Sequence, residues 1–279
     1  MTQHLTNDGQ SFDARALLGW YLAAGVDEAI ADAPIDRFAQ PQAVPLPQSA
    51  PQAQAPQTAA TRQGSATVRP AAAPRVLAST QIAADCKNLE DLKAAINSYE
   101  ECGLKHTALS TVFADGAPTA KVMCVGDMPD KDDDRTGTPF SGQAGQLLDK
   151  MLAAIGLDRT ENAYLGTVIP WRPPGNRAPS PMELAHCLPF IRRHIELVAP
   201  DFLICLGALP ATALLGIEAS ISKLRGRWKT LEIGQRNIQM LPIYAPSYLL
   251  RQPRLKADAW KDLLALSEKL DAKNKGDNA

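Results

Sequence analysis

No stretch of this chain approaches the roughly 20 consecutive apolar residues that crossing a bilayer requires. The opening MTQHLTNDGQ lacks the basic region and apolar core of a secretory leader. A cytoplasmic protein without membrane attachment is therefore expected. In that compartment the five cysteines are expected as thiols rather than disulfides. None shows zinc-type spacing, and Cys124 and Cys205 lie inside apolar runs as small core residues. Charge of one sign is also missing. With 29 Lys and Arg against 30 Asp and Glu, the formal net charge is −1, which gives no global electrostatic argument for a nucleic-acid partner. No internal repeat is evident. Histidine is scarce: His4, His106, His186 and His194 are the full set, and none follows position 194.

What is present is unevenly distributed. Leu17, Leu18, Tyr21, Leu22 and Val26 recur at helical spacing, which predicts an amphipathic helix within an N-terminal arm, residues 1–37. Residues 38–78 are dominated by Pro, Gln, Ala, Ser and Thr, a composition too poor in large apolar groups to offset ordering entropy. They are expected as a disordered linker. A compact domain follows over 79–272, with a flexible tail over 273–279. Strand-like runs at 121–126, 163–170, 201–207 and 238–244 alternate with helical patterns at 143–156, 182–198, 210–216 and 256–270; a further helix is expected over 88–100. That alternation predicts an α/β fold: a three-layer α/β/α sandwich around a central, mainly parallel four-stranded sheet. Charge gathers late: between Leu215 and Trp260 eight Lys and Arg face three acids.

Three segments pair a strand-like run with a Gly/Pro-rich loop, the layout of a pocket at the strand ends of an α/β sheet. They are VGDMPDKDDDRTGTPFSGQAGQLLDKML (125–152), WRPPGNRAP (171–179) and YAPSYLLRQP (244–253). In their order and wording they resemble the uracil-DNA glycosylase superfamily, closest to its family-four enzymes. The resemblance covers about 190 residues. It implies a DNA-repair hydrolase that flips a uracil, or another damaged base, out of single- or double-stranded DNA and cuts its N-glycosidic bond. A monomer is expected.

The same resemblance assigns roles. Gly126, Met128 and Asp130 belong to a first pocket loop, where Asp127 replaces the family's Glu as the catalytic carboxylate and Asp130 replaces a Gly, placing a charge that narrows the pocket. Phe140, in Pro-Phe-Ser-Gly, corresponds to the aromatic on which the base stacks. Thr167 stands where an Asn reads uracil, and its rotatable hydroxyl offers less than an amide. Ala245 stands where a His donates to uracil O2; removing one such donor costs about 10²–10³ in rate. Arg172, Arg177, Arg225, Arg227, Ser247 and Arg251 are candidate DNA contacts. The acidic run Asp132–Asp134 reads as a solvated loop.

Family-four enzymes carry a 4Fe-4S cluster on four cysteines. Here those positions read Tyr99, Cys102, Trp171 and Cys187, so only two thiols remain and no cluster is expected. Three functional classes stay open. The chain is a glycosylase with an altered site, a catalytically impaired DNA- or partner-binding protein of glycosylase descent, or an adaptor whose N-terminal helix recruits a repair or replication partner.

Overall fold

A computed structural model describes residues 73–277 of the protein. The chain divides into two units, Met1–Ser65 and Ala66–Ala279. The predicted N-terminal helix and most of the expected linker lie outside the described residues.

Six strands, not four, form one sheet in the order β1-β3-β2-β4-β6-β5. β2 (Val122–Gly126), β3 (Ala163–Thr167), β4 (Phe202–Leu206) and β6 (Arg236–Ile243) make a parallel centre. β1 (Ala114–Gly116) and β5 (Lys229–Ile233) close the two edges by antiparallel pairing. The two extra strands escape a reading of hydrophobic runs. β1 is three residues of Ala-Asp-Gly, and β5 buries only Leu231 and Ile233. Both are held as strands by a neighbour's backbone. β5 returns into β6 through the two-residue turn Gly234-Gln235, with Gly234 at φ +56°.

β2, β3 and β4 are buried along their whole length, as a sheet covered on both faces requires. Their side chains alternate between two cores. Met123, Val125, Leu203, Cys205 and Met240 point into one. It is completed by α1 (Ala73–Asp85), α2 (Leu89–Ser98), α5 (Pro181–Val198), α6 (Ala208–Leu215) and the short α7 (Ile221–Leu224). Val122, Cys124, Ile204, Leu206 and Leu241 point into the other. This second core is shared with α4 (Gln143–Ala153), α8 (Pro246–Arg251) and α9 (Lys256–Asp277). Three layers result. Each fully buried Leu or Ile contributes roughly 1.5–3 kcal/mol, so the two cores dominate stability.

Two boundaries differ from expectation. α1 begins at Ala73, inside the segment read as linker, because Pro74 falls in the first turn, where a missing N–H costs nothing. α9 runs on to Asp277 instead of ending near Leu270, so the expected tail is largely helical. Lys269 over the Trp228 ring and Lys273 paired with Asp201 at 2.8 Å tie its later turns to the sheet. Among the described residues, no helix is long and apolar enough to cross a membrane.

Candidate active site

The parallel centre places the C-terminal ends of β2, β4 and β6 side by side, and the loops leaving them enclose a cavity of ≈ 290 Å³. Gly126, Asp127, Met128 and Asp130 line it from the β2 loop, and Phe140 from the turn before α4. Ala245, Ser247 and Arg251 line it from the end of β6 and from α8. These eight residues, picked from separate motifs, share one cavity. Pro129, Ala144, Asn176, Leu206 and Pro246 line it as well, outside the residues to which the motifs assign roles, and so does Asp133, expected in a solvated loop. Leu206 was findable as the last residue of a strand whose end faces the pocket. Asn176 was hidden by the turn that presents it at φ +55°.

Phe140 is held tightly. Its backbone is left-handed at φ +56°, a conformation that costs of order 1–3 kcal/mol in a non-glycine residue. Two glycines make room for it. A Cβ on Gly126 would lie 2.6 Å from Phe140 Cζ, so the ring lies directly on the bare backbone of the strand end. A Cβ on Gly145 would lie 1.6 Å from the Phe140 carbonyl oxygen. Arg159 Nη2 donates to that same carbonyl at 3.2 Å while pairing with Asp115 at 2.8 Å and Asp149 at 2.7 Å. Thus β1, α4 and the pocket aromatic meet on one guanidinium.

Asp127 is half-buried, but its Oδ1 is fully enclosed. Among the described residues it is the one buried side-chain oxygen or nitrogen with no hydrogen-bond partner in the protein. It lies against Gly207, where a Cβ would come within 2.8 Å of Oδ1 and 3.5 Å of Ala245 Cβ. Burial without a compensating donor pushes the carboxyl up to about 6.

The acidic run after it is not a solvated loop. Asp130 caps α3 (Lys131–Thr136), its Oδ1 accepting from the N–H groups of Asp132 and Asp133 at 2.8 and 3.0 Å. Asp133 is buried and accepts from Ser141 N–H at 2.7 Å and Ser141 Oγ at 3.0 Å. Asp134, also buried, accepts from Leu109 N–H at 2.8 Å and lies 3.9 Å from Arg172. Helix capping and donors brought from distant loops account for this burial.

Other expected site residues are engaged elsewhere. Thr167 is buried at the end of β3, donates to the Ile169 carbonyl at 2.8 Å, and is not among the residues lining the cavity. Arg172 binds Asn176 at 2.7 Å. Arg177 forks onto Glu183, whose side chain closes the capping box of α5 with Ser180. Arg225 makes a two-pronged bond to buried Asp262 and lies over the Tyr244 ring. Its guanidinium is thereby engaged within the fold. Arg227 is exposed, and Arg251 is exposed at the rim, over the Tyr248 ring. None of the described histidines lines the cavity. His186 pairs with Tyr99 at 2.5 Å and His194 with Tyr164 at 2.9 Å. Burial pushes His194 down to about 3, which keeps it neutral.

The four positions at which the resemblance implies a cluster do come together, but as packing. Tyr99 and Trp171 stack at 6.5 Å with 15° between planes, and Trp171 Nε1 donates to Thr111 at 3.1 Å. The Cys102 and Cys187 thiols are both buried and act on each other electrostatically, Cys102 being lowered and Cys187 raised from the usual thiol range. Among the described residues, no group of three or more His, Cys, Asp or Glu is arranged to hold a metal ion. Two aromatic rings and a thiol pair do not fit a centre that needs four thiolates.

Comparison with known proteins agrees with this geometry. A sequence model described as the Uracil DNA glycosylase superfamily matches residues 113–264. The chain is 33% identical over 186 residues to a protein of Archaeoglobus fulgidus named Type-4 uracil-DNA glycosylase, covering 65% of this chain and 93% of that one. Proteins of the same name match from Sulfurisphaera tokodaii (31% over 186 residues, 65% and 84% covered) and Thermotoga maritima (34% over 167 residues, 58% and 83%).

Proposed function

Because the chain belongs to the uracil DNA glycosylase superfamily, we propose that its strand-end cavity receives a uracil extruded from DNA and hydrolyses the N-glycosidic bond, as the first step of base-excision repair. The observation that carries this reading is Phe140. A ring whose far end rests on the bare backbone of Gly126, at a backbone angle that costs energy to maintain, offers the cavity a stacking surface that core packing alone does not require. Flipping suits such a site, since the base must leave its stack before an enzyme can reach the glycosidic bond. Asp127 is the carboxyl nearest the chemistry. Gly126, Met128 and Ala245 shape the walls, and Ser247, Arg251 and Arg227 are offered to the phosphates of the distorted strand.

Phe140→Ala should slow single-turnover excision from uracil-containing oligonucleotides by about 5- to 150-fold, the loss of ~1–3 kcal/mol of base stacking. The fold should survive, because the backbone at 140 is held by Arg159 rather than by the ring. Alkaline strand cleavage reads the product. A variant as fast as the parent would remove Phe140, and this reading, from consideration.

A second reading has its own support. Thr167 spends its hydroxyl on Ile169 and Ala245 presents only a methyl, so two places that read the base in the family offer it no side-chain donor. A DNA- or partner-binding protein of glycosylase descent would look like this. Strong binding to uracil-containing DNA with no cleavage at any pH would favour it.

In either case the protein would work as a monomer beside the chromosome in the cytoplasm, its N-terminal arm and linker engaging a repair or replication partner. Removing residues 1–72 should then abolish co-purification of that partner while leaving excision by the domain unchanged. Retention of the partner would count against the arm.

A further inference from the structure

The cavity contains a feature that stacking and phosphate contacts leave unused: a carboxyl oxygen sealed from water with nothing to bond. A carboxylate kept that way is costly, because ionised oxygens seek two or three donors each. A neutral carboxylic acid is cheaper, since its carbonyl oxygen tolerates a dry wall and its hydroxyl can point elsewhere. The wall here is Gly207, whose φ of +124° and missing side chain bring its backbone against Oδ1. What remains accessible of Asp127 borders the cavity, beside Ala245.

We propose that Asp127 serves as the acid of this site, its protonated carboxyl donating to the 2-carbonyl oxygen of the departing pyrimidine from the side where Ala245 supplies no donor. The inference rests on the glycosylase reading above and gives its carboxyl the opposite role from a base. The bond from C1′ of the sugar to N1 of the pyrimidine breaks, and its electron pair passes into the ring and onto the carbonyl oxygen. Asp127 gives its proton to that oxygen, so the base leaves neutral. Water adds its oxygen to C1′ and releases a proton to solvent, and Asp127 recovers one from solvent. The sum is one water consumed, one free base and one abasic sugar formed. A base that fills the cavity also displaces water, which favours the neutral acid further.

The charged and titratable groups around Asp127 come from three elements. Asp130 and Asp133 flank the cavity from α3 and its cap, Arg251 reaches its rim from α8, and the Cys205 thiol lies within electrostatic range on β4. Burial outweighs all of them as the cause of the raised Asp127 carboxyl. Burial raises the carboxyl to about 6, so the acid is fully formed below that pH and is lost as pH rises through it.

The test is single-turnover excision of uracil by the full chain from pH 4.5 to 8.5, with Asp127→Asn and Asp127→Ala beside the parent and circular dichroism confirming the fold at each pH. The parent should lose about tenfold per pH unit above 6. Asp127→Asn keeps an N–H donor that does not titrate, so its rate should be flat with pH and overtake the parent by pH 8. Asp127→Ala should be slow throughout. A readout independent of activity is denaturant unfolding: Asp127→Asn should gain stability over the parent at pH 8 but not at pH 5, because only the ionised parent buries a charge. A parent rate that rises through pH 6, with Asp127→Asn as slow as Asp127→Ala, would make the group a base and overturn this inference alone. No cleavage by the parent at any pH would overturn the glycosylase reading along with it.

Discussion

Alanine at position 145 should cost the enzyme at least a hundredfold in single-turnover excision, more than removing the Phe140 ring itself is expected to cost in the middle of its range. The added methyl would sit 1.6 Å from the Phe140 carbonyl oxygen and 2.3 Å from its carbonyl carbon. Both are backbone atoms, so no rotamer change relieves the clash. Either the Phe140 turn lifts or the first turn of α4 moves away, and overpacking of this kind costs about 1–3 kcal/mol and occasionally more. Lifting the turn strains the Arg159 bond to the same carbonyl and takes the ring off Gly126. A displacement of about 1 Å at a reacting centre is enough for a hundredfold loss. The measurement is the excision rate, with far-UV circular dichroism to show that the helices remain. A rate within twofold of the parent would mean that the turn tolerates displacement and that the position of Phe140 matters little.

Trp171→Ala should destabilise the domain by about 3–5 kcal/mol, the usual cost of truncating a fully buried Trp. The residue is 1% exposed and stacks on Tyr99, which in turn meets Phe190 edge-on at 5.1 Å. Truncation opens a void beside the Tyr99 ring and takes the donor from Thr111. For a domain of this size each kcal/mol is worth roughly 2–4 °C, so the midpoint should fall by about 6–20 °C. Urea or thermal unfolding measures it. A loss under about 1 kcal/mol would show that the stack is not what holds this corner of the first core.

The elements most legible in the sequence are those whose state is dictated by burial. Val122–Gly126, Ala163–Thr167 and Phe202–Leu206 are short, unbroken small or apolar runs, and their length and flanking turns fit the middle of a covered sheet. β1 and β5 were invisible because nothing in Ala-Asp-Gly or Lys-Thr-Leu-Glu-Ile demands pairing; a neighbour's free backbone edge imposes it. The site divides along the same line. Motif wording brought Asp127, Phe140, Ala245 and Arg251 to one cavity, because loop composition reports where a strand ends. It could not report what each polar side chain bonds to. Asp133 and Asp134 look solvated until Ser141 and Leu109 are seen to donate to them, and Arg225 looks free until Asp262 comes back from α9, 37 positions on.

The way Phe140 is mounted bears on how this domain could be re-engineered. Its carbonyl is gripped by Arg159 and crowded by Gly145, while its ring merely lies on Gly126. Mount and tool are separate parts. A library confined to residue 140 would therefore vary the surface offered to a base without disturbing its placement. Selection on different lesions could retune preference one side chain at a time, whereas a library at Gly126, Gly145 or Arg159 would mostly return broken mounts.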